Sequence, residues 1–369
     1  MKSKIVLETA TRACGILLVL CAALAAAQQT DVLRQYRFEQ ADGGYRLTLH
    51  EIPMPAPGAG EVVVRVRAVS LNRRDIYMLD DQYGAPGTAA GSVPLSDGAG
   101  EVIAVGPGVS RFAVGDRVAG IFFEKWIDGA PGEGWHASAR GGSPGGMLSE
   151  VIVSSEQSLV GIPAHLTYEE AATLPCAGVT AWVSLFKRGR LQPGEWVLLE
   201  GTGGVSVFGL IFAHAAGARP IITSSSDEKL ARAIDLGAVG TVNYRKNPDW
   251  QKEVRAITGG AGVSQVLEVG GRDTLPKALE ALAPGGHIAL IGGLTGFVTE
   301  MPVGPLMWAN ATASGIYVGS RADFEAMNAF IGEHGIRPLV DKVFDFEQAA
   351  EAFAAMDAGE FMGKIVIRL

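Results

Sequence analysis

Gly201-Thr-Gly-Gly-Val-Ser206 separates the apolar run Glu195-Trp-Val-Leu-Leu-Glu200 from the helical-looking stretch Val207 to Ala216. Strand, glycine-rich turn and helix in that order form the cradle a dinucleotide pyrophosphate needs. Gly201 can take the tight turn, Gly203 lets backbone amides approach phosphate, and the small Ser206 lets the helix pack closely on the strand. The amides at the start of the helix then face the negative charge.

About twenty residues past such a turn, a second strand should end in the group that reads the adenosine ribose. That strand is Pro220-Ile-Ile-Thr223, and it ends in Ser224-Ser-Ser-Asp227. A carboxylate in the first position would select NAD(H). Here Ser224 stands there, followed by Ser225, with Lys229 and Arg232 beyond. Hydroxyls and cations suit a phosphate monoester, so NADP(H) is the expected cofactor. Two features pull against this. Asp227 favours NAD(H) unless it caps the helix beginning at Glu228, and Lys229 with Arg232 can equally be read as a solvated helix face.

The 369 residues, 48% hydrophobic with 49 Gly and 18 Pro, suffice for two domains with sizeable cores. A net charge of −8 and the lack of any basic run in the body of the chain exclude a nucleic-acid footprint. Lys2, Lys4 and Arg12 precede the apolar run Ala13 to Ala27, which ends Ala-Ala-Ala. A basic start, such a run and an Ala-x-Ala end describe a secretory signal peptide over residues 1–27, and hence a periplasmic or secreted protein. The alternative is a reading frame extended upstream of a start near Val32 or Leu33, which makes the protein cytoplasmic. The run is short for a membrane span. Without the leader only Cys176 remains of the three cysteines, so no intramolecular disulfide is possible.

Residues 32–160 read as short strands punctuated by Gly and Pro, among them Tyr45 to His50, Glu61 to Val69, Gly100 to Gly106 and Asp116 to Phe122; these fit a small barrel-like domain. The glycine-rich stretch Trp126 to Gly146 has no hydrophobic period and is either a lid beside a cleft or a surface loop. A second domain over 161–305 alternates helix and strand. It opens with the cap pattern Thr167-Tyr-Glu-Glu170, and strands recur near Val197, Ile221, Thr241, Val266 and Ile288. That rhythm predicts a doubly wound parallel sheet, an α/β fold of the Rossmann type. Residues 306–369 end in the strand Lys364-Ile-Val-Ile-Arg368 and are expected to rejoin the first domain.

Several motifs stand in a fixed order: Ser70-Leu-Asn-Arg-Arg-Asp-Ile76, Asp97-Gly-Ala-Gly-Glu-Val102, Val114-Gly-Asp-Arg-Val118, Ala171-Ala-Thr-Leu-Pro-Cys-Ala-Gly-Val-Thr-Ala181 and Phe361-Met-Gly-Lys-Ile365. From about Arg34 to Leu369 the chain resembles the medium-chain dehydrogenase/reductase superfamily, in its zinc-independent, quinone-oxidoreductase-like branch. The resemblance implies a GroES-like β-barrel catalytic domain, a Rossmann domain, a cleft between them and a homodimer. Zinc-dependent relatives carry Cys where this chain has Asn72 and a His-Glu pair where it has Ser96-Asp97, so only Cys176 keeps its thiol. One thiolate cannot hold Zn²⁺, and no metal is expected.

The resemblance also implies roles. Asn72 shapes the nicotinamide pocket. Tyr83 stands eleven positions after it, where enoyl-reducing relatives bear a tyrosine; it either donates to a developing enolate or is an ordinary turn tyrosine. Thr180 contacts the nicotinamide or its ribose phosphate, and Gly203, Gly204 and Val205 supply pyrophosphate amides. Tyr244 packs near the 2′-phosphate, and Gly270, Gly271, Ile291 and Gly292 line the sheet edge. Lys364 reaches the cofactor or stabilises the domain join. The histidines, His136 included, show no ligand spacing and read as incidental. The expected activity is NADPH-dependent reduction of a quinone or α,β-unsaturated carbonyl. The alternatives are a zinc-free alcohol or aldehyde dehydrogenase and a low-turnover NADPH-binding protein.

Overall fold

The computed structural model describes residues 32–83, 90–142, 144–298 and 303–369. The expected leader, residues 1–27, lies outside them. Two sheets carry the fold. The first has the order β14-β15-β3-β4-β5-β7, with β6 pairing β3. Its members are β3 (Glu61–Ser70), β4 (Asp97–Val105), β5 (Arg117–Gly120), β6 (Val151–Ser155), β7 (Leu159–Gly161), β14 (Val340–Asp345) and β15 (Lys364–Arg368). A hairpin of β1 (Leu33–Ala41) and β2 (Gly44–Ile52) accompanies it. The C-terminal strand β15 lies antiparallel to β3, so Val366 pairs with Ser70 and the C-terminal segment rejoins the first sheet.

The second sheet is parallel throughout, in the order β10-β9-β8-β11-β12-β13. Its strands are β8 (Trp196–Leu199), β9 (Arg219–Ser224), β10 (Gly240–Asn243), β11 (Val263–Glu268), β12 (Leu282–Leu290) and β13 (Thr312–Gly315). Val197, Leu198 and Leu199 of the central β8 are fully buried, as a strand covered on both faces requires. The boundary expected at 305/306 shifts: β13 pairs with β12 from His287↔Thr312 onward, so the parallel domain extends at least to Gly315. The bare sequence Thr312-Ala-Ser-Gly315 gives no strand signal, because an edge strand needs little apolar content.

The cap pattern at Thr167 forms as a capping box, but the helix it opens is only Tyr168–Ala171. Pro175 lacks an amide to continue the ladder, and Leu174–Gly178 winds as a wider, π-type segment. The helix Gly204–Ala215 packs directly on the parallel sheet and buries Val207, Phe208, Leu210 and Phe212, each contributing about 1.5–3 kcal/mol by full burial. Gly209 sets its distance from the sheet: a Cβ there would stand 2.7 Å from Leu199 Cδ2 and 2.8 Å from Leu267 Cδ2. Gly209→Val should therefore destabilise the fold by about 1–3 kcal/mol through overpacking. Chemical denaturation reads this directly, and an unchanged midpoint would contradict the close packing.

Candidate active site

The strand order reverses at β8, with β9 and β10 on one side and β11 to β13 on the other. The crevice at the carboxyl ends of β8 and β11 is therefore the switch point where parallel α/β sheets bind ligands. Gly201 opens the turn after β8 with φ +72°, and its amide donates to Thr223 Oγ1 at 3.0 Å, tying the ends of β8 and β9. Gly203 caps the helix Gly204–Ala215. The first-turn amides of Gly204 and Val205, which have no partner within the helix, thus sit at the mouth of the crevice. Ser206 is buried and donates its hydroxyl to the Glu200 carbonyl at 2.6 Å, which tightens the turn. The segment carrying Thr180 (Val179–Trp182) follows directly on the π-type turn, and a Cβ at Gly204 would lie 3.2 Å from Ala177 of that turn.

At the expected adenosine end, Ser224 and Ser225 meet the β10 turn. Tyr244 donates its amide to the Ser224 carbonyl at 3.1 Å, and Tyr244 itself is exposed. The cations behave differently from expectation. Lys229 gives its ammonium to the carbonyls of Phe361 (2.8 Å) and Gly359 (3.3 Å), and Arg232 pairs with Asp341 at 2.8 Å. Both serve the contact with the C-terminal segment, a long-range use that helix spacing could not reveal. Asp227 does not cap its helix. Ser226 does, accepting from Lys229 N, while Asp227 is held by Asn243 (2.6 Å) and Lys246. Arg245 in the same turn is exposed and its guanidinium has no partner among the described residues.

The loop after β11 also departs from expectation. Gly270 and Gly271 donate their amides to Glu268 Oε1, both at 2.7 Å, and Thr274 Oγ1 adds a third bond at 2.6 Å. Ile291 and Gly292 donate theirs to the Glu268 carbonyl at 2.9 and 3.3 Å. These four residues line the sheet edge with their amides already used, so they shape the crevice wall and do not donate into it. Glu200 faces Glu268 across the switch point. Glu200 Oε2 accepts from Val269 at 3.3 Å, whereas Glu200 Oε1 and Glu268 Oε2 are buried without any other partner. Burial and the neighbouring Glu268 carboxylate push the Glu200 carboxyl well above its usual range. The Glu200 carboxyl therefore holds its proton more tightly than an exposed one does.

The second half of the site is built around Lys364. Its ammonium, at the start of β15, is buried and donates to Leu71 O and Asn72 Oδ1, each at 2.6 Å, and stands 3.7 Å from Asp97 Oδ2. Asp97 in turn accepts from Ser96 Oγ at 2.7 Å and from the Cys176 amide at 3.2 Å. Asn72, Asp97 and Cys176, from the three stretches that the sequence resemblance matched to zinc ligands, thus gather about an ammonium. Burial and Asp97 push the Cys176 thiol up, against the thiolate a metal would need. No three His, Cys, Asp or Glu residues converge on a metal position among the described residues, and the donor set at this spot does not fit Zn²⁺. A Cβ on Gly204 would lie 2.8 Å from Lys364 Cδ. The lysine stem therefore packs on the glycine-rich turn after β8 while its head bonds the end of β3.

A small cavity of about 10 Å³, room for no more than a water, is lined by Arg74, Tyr83, His136 and Tyr317 with Ala137, Ala139 and Gly142. The Tyr83 and Tyr317 hydroxyls lie 2.5 Å apart, and burial followed by Tyr83 raises the Tyr317 phenol. Phe122, Phe123, Trp126 and Trp135 pack around Tyr317 and His136. His136, Ala137, Ala139 and Gly142 of the glycine-rich stretch accordingly form one wall of the cavity. Arg74, His136 and Tyr317 carried no local signal of this meeting, because the three lie far apart in the sequence.

Two family models match: an alcohol dehydrogenase GroES-like domain over residues 58–164 and a zinc-binding dehydrogenase domain over 204–333. A zinc-type alcohol dehydrogenase-like protein of Schizosaccharomyces pombe is 42% identical over 345 residues, covering 91% of this chain and 99% of its own. A quinone oxidoreductase of Pseudomonas aeruginosa is 32% identical over 89% and 97%. A crystal structure assigned as an alcohol dehydrogenase from Sinorhizobium meliloti superposes with a TM-score of 0.86 at 41% identity, covering 92% of this chain and 99% of that one. The chain belongs to the medium-chain dehydrogenase/reductase superfamily. It is an NAD(P)-dependent oxidoreductase with a Rossmann sheet and a GroES-like domain.

The raised Glu200 carboxyl has a pH signature. A Glu200 carboxyl raised from 4.5 binds its proton more tightly in the folded chain than in the unfolded one, so stability falls as pH rises from about 4.5 through the folded value. Asp75, raised by burial to about 6, acts with the same sign. Glu200→Gln keeps a donor toward Glu268 but cannot titrate. Its melting temperature should decline less steeply with rising pH than that of the wild type, and parallel profiles would contradict the raised carboxyl.

Proposed function

We propose that the protein is an NADPH-dependent, zinc-independent reductase of quinones or α,β-unsaturated carbonyl compounds. One observation carries this reading: the Lys364 ammonium, bonded to Asn72 and facing Asp97, stands where a Lewis acid would otherwise activate an alcohol. Without that activation, adding hydride to an already polarised C=C or quinone is the more favourable chemistry. The dinucleotide supplies the hydride when bound. The chain's part is to hold the pyrophosphate on the Gly203–Val205 turn, to exclude water with the aromatic wall around Phe123, and to offer phenol donors to the substrate oxygen. As charge develops on that oxygen, the Tyr83–Tyr317 pair hydrogen-bonds it and passes a proton to it.

An acceptor panel tests the reading. Consumption of NADPH with enones and quinones supports it. Turnover of ketones alone favours the alcohol or aldehyde dehydrogenase alternative, and binding of NADPH without consumption by any acceptor favours a non-catalytic role. The double variant Tyr83→Phe/Tyr317→Phe should lower kcat about hundredfold with cofactor affinity unchanged; an unaltered kcat removes the phenols from the mechanism.

For the cofactor, Ser225 and the unpartnered Arg245 support a 2′-phosphate more than Lys229 does, because Lys229 is tied to Phe361. Arg245→Ala should raise the Kd for NADPH by about ten- to hundredfold and leave that for NADH nearly unchanged. Equal effects on both would place the adenosine elsewhere.

The open edge of β13, which pairs only with β12 among the described residues, supports a homodimer. Beside it Phe297, Met307 and Trp308 are 78%, 71% and 85% exposed, an apolar area that a second copy would cover. Trp308→Glu should shift the mass measured by light scattering from dimer to monomer, and a wild type that is already monomeric refutes the dimer. Residues 1–27 support export, which N-terminal sequencing of protein from fractionated cells tests: Gln28 as the first residue supports cleavage, and an intact or Val32 start opposes it.

A further inference from the structure

The paired phenols of Tyr83 and Tyr317 give up a proton repeatedly only if one is returned to them. Burial, then the neighbouring Tyr83, pushes the Tyr317 phenol up, while Arg74 draws it down, so a phenolate left there has to be discharged. Two other polar side chains line the cavity beside the phenols, Arg74 and His136. A guanidinium keeps its proton throughout the working range, so Arg74 is not the source. Imidazole is the side chain that exchanges protons near neutral pH. That leaves His136.

Its position suits the task. The His136 ring stands 5.0 Å from that of Tyr317, centroid to centroid, and packs against Trp135 at 4.6 Å and Phe123 at 6.1 Å, which hold its plane. It opens the 3₁₀ turn His136–Ser138, half-buried and next to the exposed Ala137, so the imidazole stays within reach of solvent. Between it and the phenols lies the cavity of about 10 Å³, which has room for one water. Four polar side chains line that space, and a buried water needs about two to four.

We infer that His136 returns protons to the Tyr83–Tyr317 pair through a single water held in this cavity. This deepens the reductase reading and rests on it for the chemistry, though not for the hydrogen-bonded chain itself. Once hydride has added to the acceptor, a phenol O–H bond breaks and its proton goes to the substrate oxygen. The phenolate takes a proton from the water, the water takes one from the imidazolium N–H, and the imidazole is recharged from solvent. One proton thus enters from solvent for each hydride delivered. Tyr83, Tyr317 and Arg74, from the helix Arg73–Leu79, are the titratable and charged groups that share the cavity with His136. The Arg74 guanidinium, 5.0 Å from the Tyr83 ring centroid, stabilises the negative charge that passes along the chain.

Two measurements test the relay. The first needs no turnover: the His136 ring is titrated by NMR in the wild type and in Tyr83→Phe/Tyr317→Phe. Loss of the phenols should lower the His136 midpoint by about half a pH unit, because the imidazolium loses the acceptors beyond the water. An unmoved midpoint overturns the relay. The second is kinetic. With saturating NADPH and an enone acceptor, His136→Gln should lower kcat about tenfold while the Kd for NADPH holds. Wild-type kcat should fall as pH rises through the His136 midpoint, the variant's should not, and imidazole added to the buffer should restore part of the variant's rate. An unchanged kcat, or a loss that imidazole does not repair, overturns the relay. A wild type that oxidises no NADPH with any acceptor counts against the reductase reading alone, and the NMR midpoint then decides the relay.

Discussion

The buried ammonium of Lys364 is the constraint on which the rest of the molecule turns. It arrives on the last strand of the chain and bonds the backbone of Leu71 and the side chain of Asn72 at the end of β3, while its stem packs on Gly204 of the pyrophosphate turn. A bridge between Gly203 and Gly363 and the bond from the Gly363 amide to Thr202 O lie beside it. A buried charge is stable only where its partners are fixed. The two sheets are therefore tied to each other at this one residue. Lys229 and Arg232 reinforce that relation from the parallel domain through Phe361 and Asp341.

Charge is placed in this cleft with different purposes at its two ends. Near the switch point, burial and the Glu268 carboxylate raise the Glu200 carboxyl, and Glu268 gathers the loop amides of Gly270 and Gly271. The first-turn amides of Gly204 and Val205 have no partner within their helix. On the other side of the chain's cleft, Arg140 pairs with Glu124 and Lys364 stands beside Asp97. Solvated surface pairs contribute little to such an arrangement; the buried groups define it.

Local patterns carried the parallel domain well. The turn at 201–206, the cap at Thr167 and the strand Lys364–Arg368 are short-range statements, and the structure holds each of them. Strand β13 was not legible because its residues are small and its identity comes from pairing with β12. In the site, Asn72 and Tyr83 could be found through motif and spacing, but what they touch could not. Tyr83 meets Tyr317 across a sequence separation of 234, and His136 gains its place only because the glycine-rich stretch folds back over Phe123. Lys229 shows the converse: a helix position that suits a phosphate was already engaged by carbonyls more than a hundred residues away.

If an ammonium holds the place of a metal in this cleft, the enzyme should work without one. The direct measurement is the rate of NADPH oxidation by an enone or quinone acceptor after exhaustive chelation, with the metal content of the same sample determined in parallel. The account predicts an undiminished rate in protein free of zinc. A rate abolished by the chelator and restored by stoichiometric Zn²⁺ would contradict it.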